Sequence, residues 1–497
     1  MRQRRTTSIH ALTITAAMSV ACAVESGPAS PPEPPAKRLT REELQDPQSC
    51  AQCHPDAFRE WSGSMHAYAA EDPVFLAMNR RAQRESGGAV GDFCVRCHAP
   101  VAVAEGLTTD GLNLAELPAK VRGVTCFFCH SIDSIEGDHN APMKLASDGV
   151  MRSSIQDPQE TPAHRSAYSE LHDRDLLGSS RTCGACHDIV TPAGAHIERT
   201  FHEWKGTVFN KAPNGATCGQ CHMPQGTAQE PVAIGGPQRW RHAHSFPGVD
   251  VALTEFPERE TQKSLIQQSL DQTLQTGVCV QSLGSASRVR VILDNAGAGH
   301  GFPSGSAPDR RAWVEVVATA NGQPVYESGV VAAGEDVTKV VDPDLWLLRD
   351  CLFDAQGAKV HQLWQGADYD SNTLPGTASL DPTDPKSAQR HFVRSYPGPD
   401  RSFTAAPDRV TVRVHLQPVG FDVLDDLVDS GDLDREIRDR MVRHLVGSDA
   451  PLEWSAAGPS EPWIDPDTAE LWSCVTKTNL NLRAPRTPAP MRTRCSP

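Results

Sequence analysis

Length, composition and charge limit the class of protein. At 497 residues, the chain exceeds the usual size of a single hydrophobic core, so two or three domains are expected. Aromatic residues make up only 6% of the chain, which suggests that something other than side chains fills part of the interior. The formal net charge of −15 argues against a nucleic-acid partner and favours redox proteins as partners.

The N-terminal residues show the three successive regions of a secretory signal peptide. Three arginines come before a moderately apolar stretch from Ile9 to Val24, and small residues stand at positions 21–23. We predict a signal peptide over residues 1–23, with the alternative of a bacterial lipoprotein signal cleaved before Cys22. The predicted location is therefore the periplasm or cell surface of a bacterium, and the outer membrane if Cys22 carries a lipid.

A Pro-rich linker is predicted over residues 24–47, because the run SGPASPPEPPAKR favours an extended tether. No later segment approaches the run of about eighteen apolar residues that a transmembrane helix needs. A lipid at Cys22 would then be the only attachment to a membrane.

The unit Cys-x-x-Cys-His occurs five times along the next part of the chain. Its copies are Cys50, Cys53 and His54; Cys94, Cys97 and His98; Cys126, Cys129 and His130; Cys183, Cys186 and His187; and Cys218, Cys221 and His222. Two thioether bonds from such cysteines hold a haem, and the adjacent histidine reaches the iron. Zinc ribbons and disulfides also use paired cysteines, but neither explains a histidine after the second cysteine in all five copies. We predict five covalently attached haems c in a domain over residues 48–250.

The second axial ligand of each iron decides between electron transfer and chemistry at an open face. Histidines outside the motifs are the candidates, and those chosen as metal ligands are His66, His164, His244, His300 and His139. His66 follows a helical apolar stripe, and glycines around His300 let the backbone approach a flat ligand. His172 and His242 are weaker candidates, because each has a better-placed neighbour.

The C-terminal half has patterns of α and β structure and no haem motif. Ile266, Leu270 and Leu274 repeat every four residues, which predicts a helical connector over 251–285. Alternating apolar and polar residues predict a β-sandwich-like domain over 286–420, with a hairpin turn at ANGQ. The fold class is thus α+β multidomain, with short helices and loops around haem in the N-terminal part.

The end of the chain is predicted as a helix over 421–450 and an irregular Pro-rich tail over 451–497. His415 falls on the polar face of the strand VTVRVHL and is assigned to solvent. One or two disulfides are expected, in undetermined pairs, among the cysteines outside the haem motifs: Cys279, Cys351, Cys474 and Cys495.

The haem-bearing segments resemble a known family. CAQCHPDAFREWSGSMHA, GVTCFFCHSID, SSRTCGACHDI, IERTFHEWKGTVF and GATCGQCHMP are similar to blocks of the tetrahaem cytochromes that partner hydroxylamine oxidoreductase, and of their larger bacterial relatives. The resemblance covers about residues 48–248 and implies closely spaced haems, mainly bis-histidine ligation and electron transfer. It implies distal roles for His66, His164 and His244. The GHGFPSG segment also resembles a segment of the larger relatives, which implies that His300 reaches back to a haem.

The chain departs from the family in two ways. Five motifs exceed the four of the small carriers, and there is no Cys-x-x-Cys-Lys, the mark of the pentahaem nitrite reductases. The leading hypothesis is an exported pentahaem electron carrier rather than an enzyme, with no catalytic residue assigned. One alternative is an oxidoreductase that acts on a small nitrogen or sulfur compound at one open-faced haem. Another is a surface lipoprotein whose β domain is the interacting part.

Overall fold

The computed structural model describes residues 37–213, 215–283, 286–380, 391–447, 450–465, 468–477, 480, 486–489 and 494–495. The predicted signal peptide, Cys22 and most of the predicted linker lie outside the described residues. Within the described ranges, no helix combines the length and apolar character that a membrane span requires.

The N-terminal part is built from short helices, several of which begin at a proline or a capping side chain. Pro55 starts a helix directly after His54, and the Asp72 carboxylate accepts a hydrogen bond from Val74 N at 2.8 Å. The helices are α1 (Arg41–Gln45), α2 (Pro47–Ala51), α3 (Pro55–Ser62), α4 (Met65–Tyr68), α5 (Pro73–Glu85), α6 (Val95–His98), α7 (Pro100–Ala104), α8 (Cys126–His130), α9 (Ser180–Gly184), α10 (Thr200–Lys205) and α11 (Cys218–His222). Single 3₁₀ turns cover Leu114–Glu116, Ala119–Val121, Glu170–His172, Leu177–Ser179 and Val208–Asn210.

Four two-stranded sheets lie between these helices. Their strands are β1 (Ile132–Ile135), β2 (Met143–Leu145), β3 (Val150–Ser153), β4 (Arg165–Tyr168), β5 (Ile189–Val190), β6 (His196–Glu198), β7 (Gln225–Pro231) and β8 (Gln238–His242). Consecutive strands pair, and only the β3–β4 pair is parallel among them. Such short ribbons are not stable alone, so they depend on what they pack against.

The C-terminal part contains two six-stranded sheets and one three-stranded sheet. Its helices are α12 (Arg259–Thr273), α13 (Phe421–Asp429) and α14 (Arg435–Asp439), and 3₁₀ turns cover Val337–Lys339 and Leu363–Gln365. Its strands are β9 (Gln275–Leu283), β10 (Ala286–Asp294), β11 (Arg311–Ala320), β12 (Gln323–Ser328), β13 (Trp346–Leu348), β14 (Asp350–Phe353), β15 (Lys359–Val360), β16 (Asp368–Ser371), β17 (His391–Tyr396), β18 (Arg409–Gln417), β19 (His444–Val446), β20 (Leu452–Ser455), β21 (Glu461–Ile464), β22 (Leu471–Lys477) and β23 (Arg486–Pro488).

The sheet orders explain where the main core lies. One sheet runs β21-β22-β9-β10-β17-β23, and the other runs β12-β11-β18-β19, with β13 on β11 and β20 on β18. The three-stranded sheet runs β15-β14-β16. Side chains of β9 and β10 share one buried cluster with side chains of β11 and β18. The two sheets therefore pack face to face, and α12 closes the same cluster with Ile266 and Leu270.

The prediction of mixed helix and sheet is confirmed, and so is the hairpin turn at ANGQ. Asn321 and Gly322 connect β11 to β12, and both have positive φ, 50° and 75°. Two such residues form the tight turn whose twist matches the flanking strands, which is why Asn-Gly is favoured there.

The end of the chain differs from the prediction. The helix predicted over 421–450 is instead two short helices, α13 and α14, followed by strand β19. The predicted irregular tail supplies the strands β20–β23 to the two large sheets. These strands are short and are separated by Pro and Gly, so their alternation extends over too few residues to stand out in the sequence.

The assignment of His415 to solvent is wrong. Only 7% of the residue is exposed, and its ring stacks on that of Trp313 with 4.9 Å between the ring centres. His415 Nε2 also lies 3.0 Å from a carboxylate oxygen of Glu315. Trp313 is the direct cross-strand partner of His415, so a large aromatic neighbour covers this face of the sheet.

The four cysteines that follow the last motif form two disulfides. Cys279 pairs with Cys474 and Cys351 pairs with Cys495, across 195 and 144 residues of sequence. Both bonds attach the C-terminal segment to earlier strands. The expected use of these cysteines is confirmed, and the structure supplies the pairing that the sequence left open.

Replacing Cys279 and Cys474 together by alanine is expected to lower the free energy of unfolding by about 2–5 kcal/mol. The bond closes a long loop and so restricts the unfolded chain. Urea unfolding of oxidised protein, followed by circular dichroism, measures the change. Because the effect grows only slowly with loop length, the Cys351 and Cys495 double variant should lose a similar amount. Unchanged unfolding of the first variant would contradict the prediction.

Candidate haem-binding sites

Each Cys-x-x-Cys-His unit lies at a single turn of helix. Helices α8 and α11 contain the whole of the third and fifth units, and α6 contains the last four residues of the second. Helices α2 and α9 end within the first and fourth units. Thr217 begins the fifth unit with a capping box, in which its side chain and that of Gln220 satisfy each other's backbone N–H. One helical turn brings the two cysteines and the histidine of each unit to the same region.

Each motif histidine has a hydrogen-bond acceptor at Nδ1. The Nδ1 atoms lie 2.6 Å from Val232 O (His54), 2.9 Å from Ala69 O (His98), 2.6 Å from Arg152 O (His130), 2.8 Å from Glu198 Oε1 (His187) and 2.7 Å from Pro247 O (His222). Because carbonyl and carboxylate oxygens only accept, the ring proton is on Nδ1. Nε2 is thereby left as a lone-pair donor, the arrangement that proteins use to orient a metal-ligating histidine.

Four of the five motif histidines face a second imidazole. The ring centres are 6.3 Å apart for His54 and His164, 6.2 Å for His187 and His66, 6.5 Å for His222 and His300, and 6.4 Å for His130 and His244. Two metal–nitrogen bonds of about 2 Å, plus about 1 Å from each nitrogen to its ring centre, would give roughly 6 Å. The spacing therefore fits one metal ion between two imidazoles.

The third unit has two imidazoles near it. His172 lies 6.0 Å from His130, slightly nearer than His244. His172 Nε2 donates to the Cys129 carbonyl oxygen at 2.7 Å, and its buried Nδ1 has no hydrogen-bond partner. His244 bonds through Nδ1 to His242 O at 3.0 Å, which leaves its Nε2 available. His244 therefore presents the same nitrogen as the motif histidines do.

The second unit is different from the other four. Among the residues that the structure describes, no other histidine ring pairs with His98 at this spacing. Instead, the Phe75 ring stacks on the His98 ring with 3.8 Å between centres and an angle of 3°. The second unit thus has one imidazole where the other units have two.

His139 is not brought to any motif histidine. Its side chain is 47% exposed, and its Nδ1 lies 3.0 Å from Asp138 Oδ1 at the surface. His139 was predicted from its position nine residues after the third motif, but the chain turns away between β1 and β2. His196 and His202 pair with each other at 6.1 Å and not with a motif histidine.

The cysteines show how the five units are arranged. The thiols of Cys50 and Cys126, of Cys97 and Cys186, and of Cys183 and Cys218 are neighbours, and in each pair one thiol has its pKa raised by its partner: Cys126, Cys186 and Cys183. Cys129 is close enough to raise the pKa of both Cys183 and Cys186 further. The first unit thus neighbours the third, and the fourth unit neighbours the second, third and fifth. None of the ten motif cysteines is in a disulfide.

Comparisons with known proteins agree with this arrangement. The family model for cytochrome c554 and c-prime matches residues 49–131, which contain the first three motifs. The fold is similar to the crystal structure of a penta-heme cytochrome c552 from Thermochromatium tepidum, with a TM-score of 0.58 and 20% sequence identity. The similarity covers 83% of this chain and 99% of that one. The matched segment and the fold both support a relationship to the multihaem c-type cytochromes. No curated protein matches it.

The match of residues 49–131 to a c-type cytochrome family implies covalently bound haem c, electron transfer and redox proteins as partners. Within the described ranges, no three His, Cys, Asp or Glu side chains converge on a single metal position. The paired imidazoles of this cytochrome fit an iron that is held mainly by the haem itself, with one protein ligand on each face.

The protonation of three of the paired histidines, His66, His130 and His222, also fits metal binding. Burial lowers the pKa of His66 and His130 to about 3, and that of His222 to about 4. These rings are therefore neutral at physiological pH, as a metal ligand must be. At His187, burial again lowers the pKa, but the Glu198 carboxylate outweighs it, and the pKa rises to about 9.

The loop that carries His300 is fixed by helix α10. Glu203 Oε2 accepts hydrogen bonds from Gly301 N at 3.0 Å and from Ser304 Oγ at 2.7 Å. A Cβ atom at position 301 would lie 2.8 Å from the same oxygen, so a larger residue there would displace this carboxylate. Glu203 therefore ties the start of the β part to the haem-bearing part and holds His300 opposite His222.

Sequence reasoning did not identify three of these neighbours. His172 was considered a weaker candidate ligand than a neighbouring histidine, although it lies beside His130. Neither Phe75 nor Glu198 was singled out, because each is far along the chain from the histidine that it contacts: Glu198 follows His187 by eleven residues, and Phe75 precedes His98 by 23. A glutamate on a short strand carries no local signal for such a contact.

Proposed function

We propose that this multihaem cytochrome carries five haems, one on each Cys-x-x-Cys-His unit, and relays electrons between redox proteins outside the cytoplasm. The observation that carries the proposal is the second imidazole at 6.2–6.5 Å from four of the five motif histidines. When bound, haem iron with two histidine ligands supplies one-electron redox chemistry.

The residues of the chain would hold and orient these groups. The ten motif cysteines would anchor the five haems, and the motif histidines would bind through Nε2. The proposed second ligands are His164 for the first unit, His244 for the third, His66 for the fourth and His300 for the fifth. Backbone carbonyls at Nδ1 keep four of the motif rings in one tautomer and orientation, so ligation would need little rearrangement.

The contacts between units support a relay. The first and third units adjoin through Cys50 and Cys126, and the fourth unit adjoins the second and fifth through Cys186 and Cys183. Cys129 of the third unit lies near both Cys183 and Cys186 and joins the two groups. All five would therefore form one continuous cluster in which electrons pass between neighbours. Such a path needs no catalytic side chain.

The test is to express the full chain in a host that matures c-type cytochromes. The expected result is an intact mass with five added haems and, in the oxidised protein, low-spin electron paramagnetic resonance signals from at least four irons. A colourless protein, or one whose mass lacks the added macrocycles, would refute the proposal.

A second candidate function rests on the second unit. Only one imidazole is in place at His98 among the described residues, so an iron there could be open to a small molecule. A carbon monoxide difference spectrum of the reduced protein tests this directly. Binding to one haem in five would favour an oxidoreductase for a small nitrogen or sulfur compound. If no haem binds carbon monoxide, electron transfer would be the only one of the two functions that is supported.

Export and lipid attachment remain proposals that concern residues 1–36. We propose that the chain is secreted and, if Cys22 is modified, anchored by lipid to the cell surface. N-terminal sequencing of the mature protein distinguishes cleavage after Ala23 from cleavage before Cys22. A mature protein that retains Met1 would contradict export.

A further inference from the structure

The five motif histidines differ in what accepts the hydrogen bond at Nδ1. Four donate to a backbone carbonyl, and only His187 donates to a carboxylate, that of Glu198 at 2.8 Å. We propose that Glu198 tunes the haem held by Cys183, Cys186 and His187, so that this haem has the lowest reduction potential of the five. The inference rests on the proposed function, since it requires haem at each unit.

The chemistry follows from the strength of the hydrogen bond. A bond to an ionised acceptor is roughly twice as strong as one to a neutral carbonyl. Glu198 therefore draws the Nδ1 proton of His187 towards itself and makes Nε2 a more basic ligand. A more basic ligand, with a negative charge behind it, stabilises ferric iron over ferrous iron. Second-sphere hydrogen bonding and nearby charge are recognised means of setting a haem potential.

The surroundings of Glu198 leave His187 as its ion-pair partner. It is the last residue of β6, and its side chain is only 18% exposed. In the described part of the chain, no arginine or lysine forms an ion pair with it. The nearby Arg310 is committed to Asp250, with two contacts of 2.6 and 2.7 Å. A carboxylate that is largely shielded from water and not neutralised by a cation acts strongly on its neighbours.

The potential of the fourth unit should affect electron flow through the whole protein, because this unit adjoins three others. The fourth unit adjoins the second, third and fifth units through Cys183 and Cys186. If the haem of the fourth unit has the lowest reduction potential, its reduction by a neighbouring haem is thermodynamically unfavourable. Electrons that pass from one side of the cluster to another must cross this step. Glu198 would therefore influence how fast electrons pass through the whole protein, although it contacts only one ligand.

The test is Glu198→Gln in the full-length holoprotein, because glutamine keeps the shape and an acceptor oxygen but removes the charge. A spectroelectrochemical titration should show the lowest-potential component moving upward by more than any other. The second unit should shift less, because its His98 lies near the same carboxylate but does not bond to it. We expect the equilibrium constant for reducing this haem to rise about tenfold, which is about 59 mV for a one-electron couple. Glu198→Asp keeps the charge and should shift the component less.

A matched control is Glu315→Gln. Glu315 also contacts a histidine, His415, at 3.0 Å, but that pair lies in the β part and outside any haem motif. No potential should move in this variant. An independent check is the variant that lacks both Cys183 and Cys186, which should lose the lowest-potential component.

Each outcome decides one of the two claims. If Glu198→Gln contains five haems and no potential moves, or if the variant without Cys183 and Cys186 keeps the lowest component, the tuning role is overturned. If the wild-type mass already lacks haems, the proposed function fails instead.

Discussion

Replacing Cys183 and Cys186 together by alanine is expected to yield a protein with four haems instead of five and an interrupted relay. Neither thioether bond can form at this unit, and a lone His187 ligand does not retain a c-type haem covalently. Electron transfer between units should be impaired most by this variant, because Cys186 adjoins Cys97 of the second unit and Cys183 adjoins Cys218 of the fifth. The remaining units would then separate into a first and third pair and two isolated sites.

The fifth unit provides the matched control. Replacing Cys218 and Cys221 also removes one haem, but it leaves the other four units adjoining one another. Intact mass gives the haem number of both variants, and stopped-flow reduction with substoichiometric donor follows how electrons redistribute. We expect a new slow phase in the variant without Cys183 and Cys186, and none in the control. Five haems in the first variant, or identical redistribution in both, would contradict the prediction.

Substituting Asp422→Asn should lower the free energy of unfolding by about 3–5 kcal/mol. The Asp422 carboxylate is 8% exposed and lies 2.7 Å from Arg311 and 3.4 Å from Arg349. Removing its charge leaves two buried guanidinium groups without an anion, which is the costly way to break a buried ion pair. Asp422 lies in the first turn of α13, Arg311 at the start of β11 and Arg349 directly before β14, so these ion pairs join α13 to the β part.

The same carboxylate gives a pH dependence. Burial raises the pKa of Asp422, but Arg311 outweighs it, with His361 and Arg349 adding to the effect, and the pKa falls far below its usual value. Because the folded pKa lies below the unfolded one, the stabilisation is complete above about pH 4 and is lost as the pH falls further. As the pH falls below about 4, the free energy of unfolding should therefore decrease less in Asp422→Asn than in the wild type.

Urea unfolding between about pH 3 and pH 7 measures both effects. Asp429→Asn, an exposed position on the same helix, is the matched control and should change the free energy by less than about 0.5 kcal/mol. Equal stability of the two variants at neutral pH would show that the buried cluster does not contribute as expected.

The local chemistry of the haem sites could be predicted from sequence because it depends on neighbours in the chain. Cys183, Cys186 and His187 fall within five residues, so one turn of helix is enough to bring them together. The hairpin at Asn321 and Gly322 is predictable for the same reason, since two adjacent residues fix its geometry.

The partners across each site depend on contacts between distant segments. His300 lies 78 residues after His222, and Glu203 holds its loop in place through the tertiary structure alone. His139 has an equally suitable side chain and a shorter separation from its motif, yet it lies at the surface beside Asp138. Sequence distance therefore did not decide which histidine faces a motif ring.

The sequence by itself determined that this protein has five Cys-x-x-Cys-His units, and hence the type of group that it holds, because that chemistry is set by covalent spacing. Only the tertiary structure decided which imidazole faces which unit, that His98 has none among the described residues, and that among the motif histidines His187 alone bonds to a carboxylate. Those features arise from packing between elements that are far apart in the chain, and packing leaves no periodic signal in the order of residues.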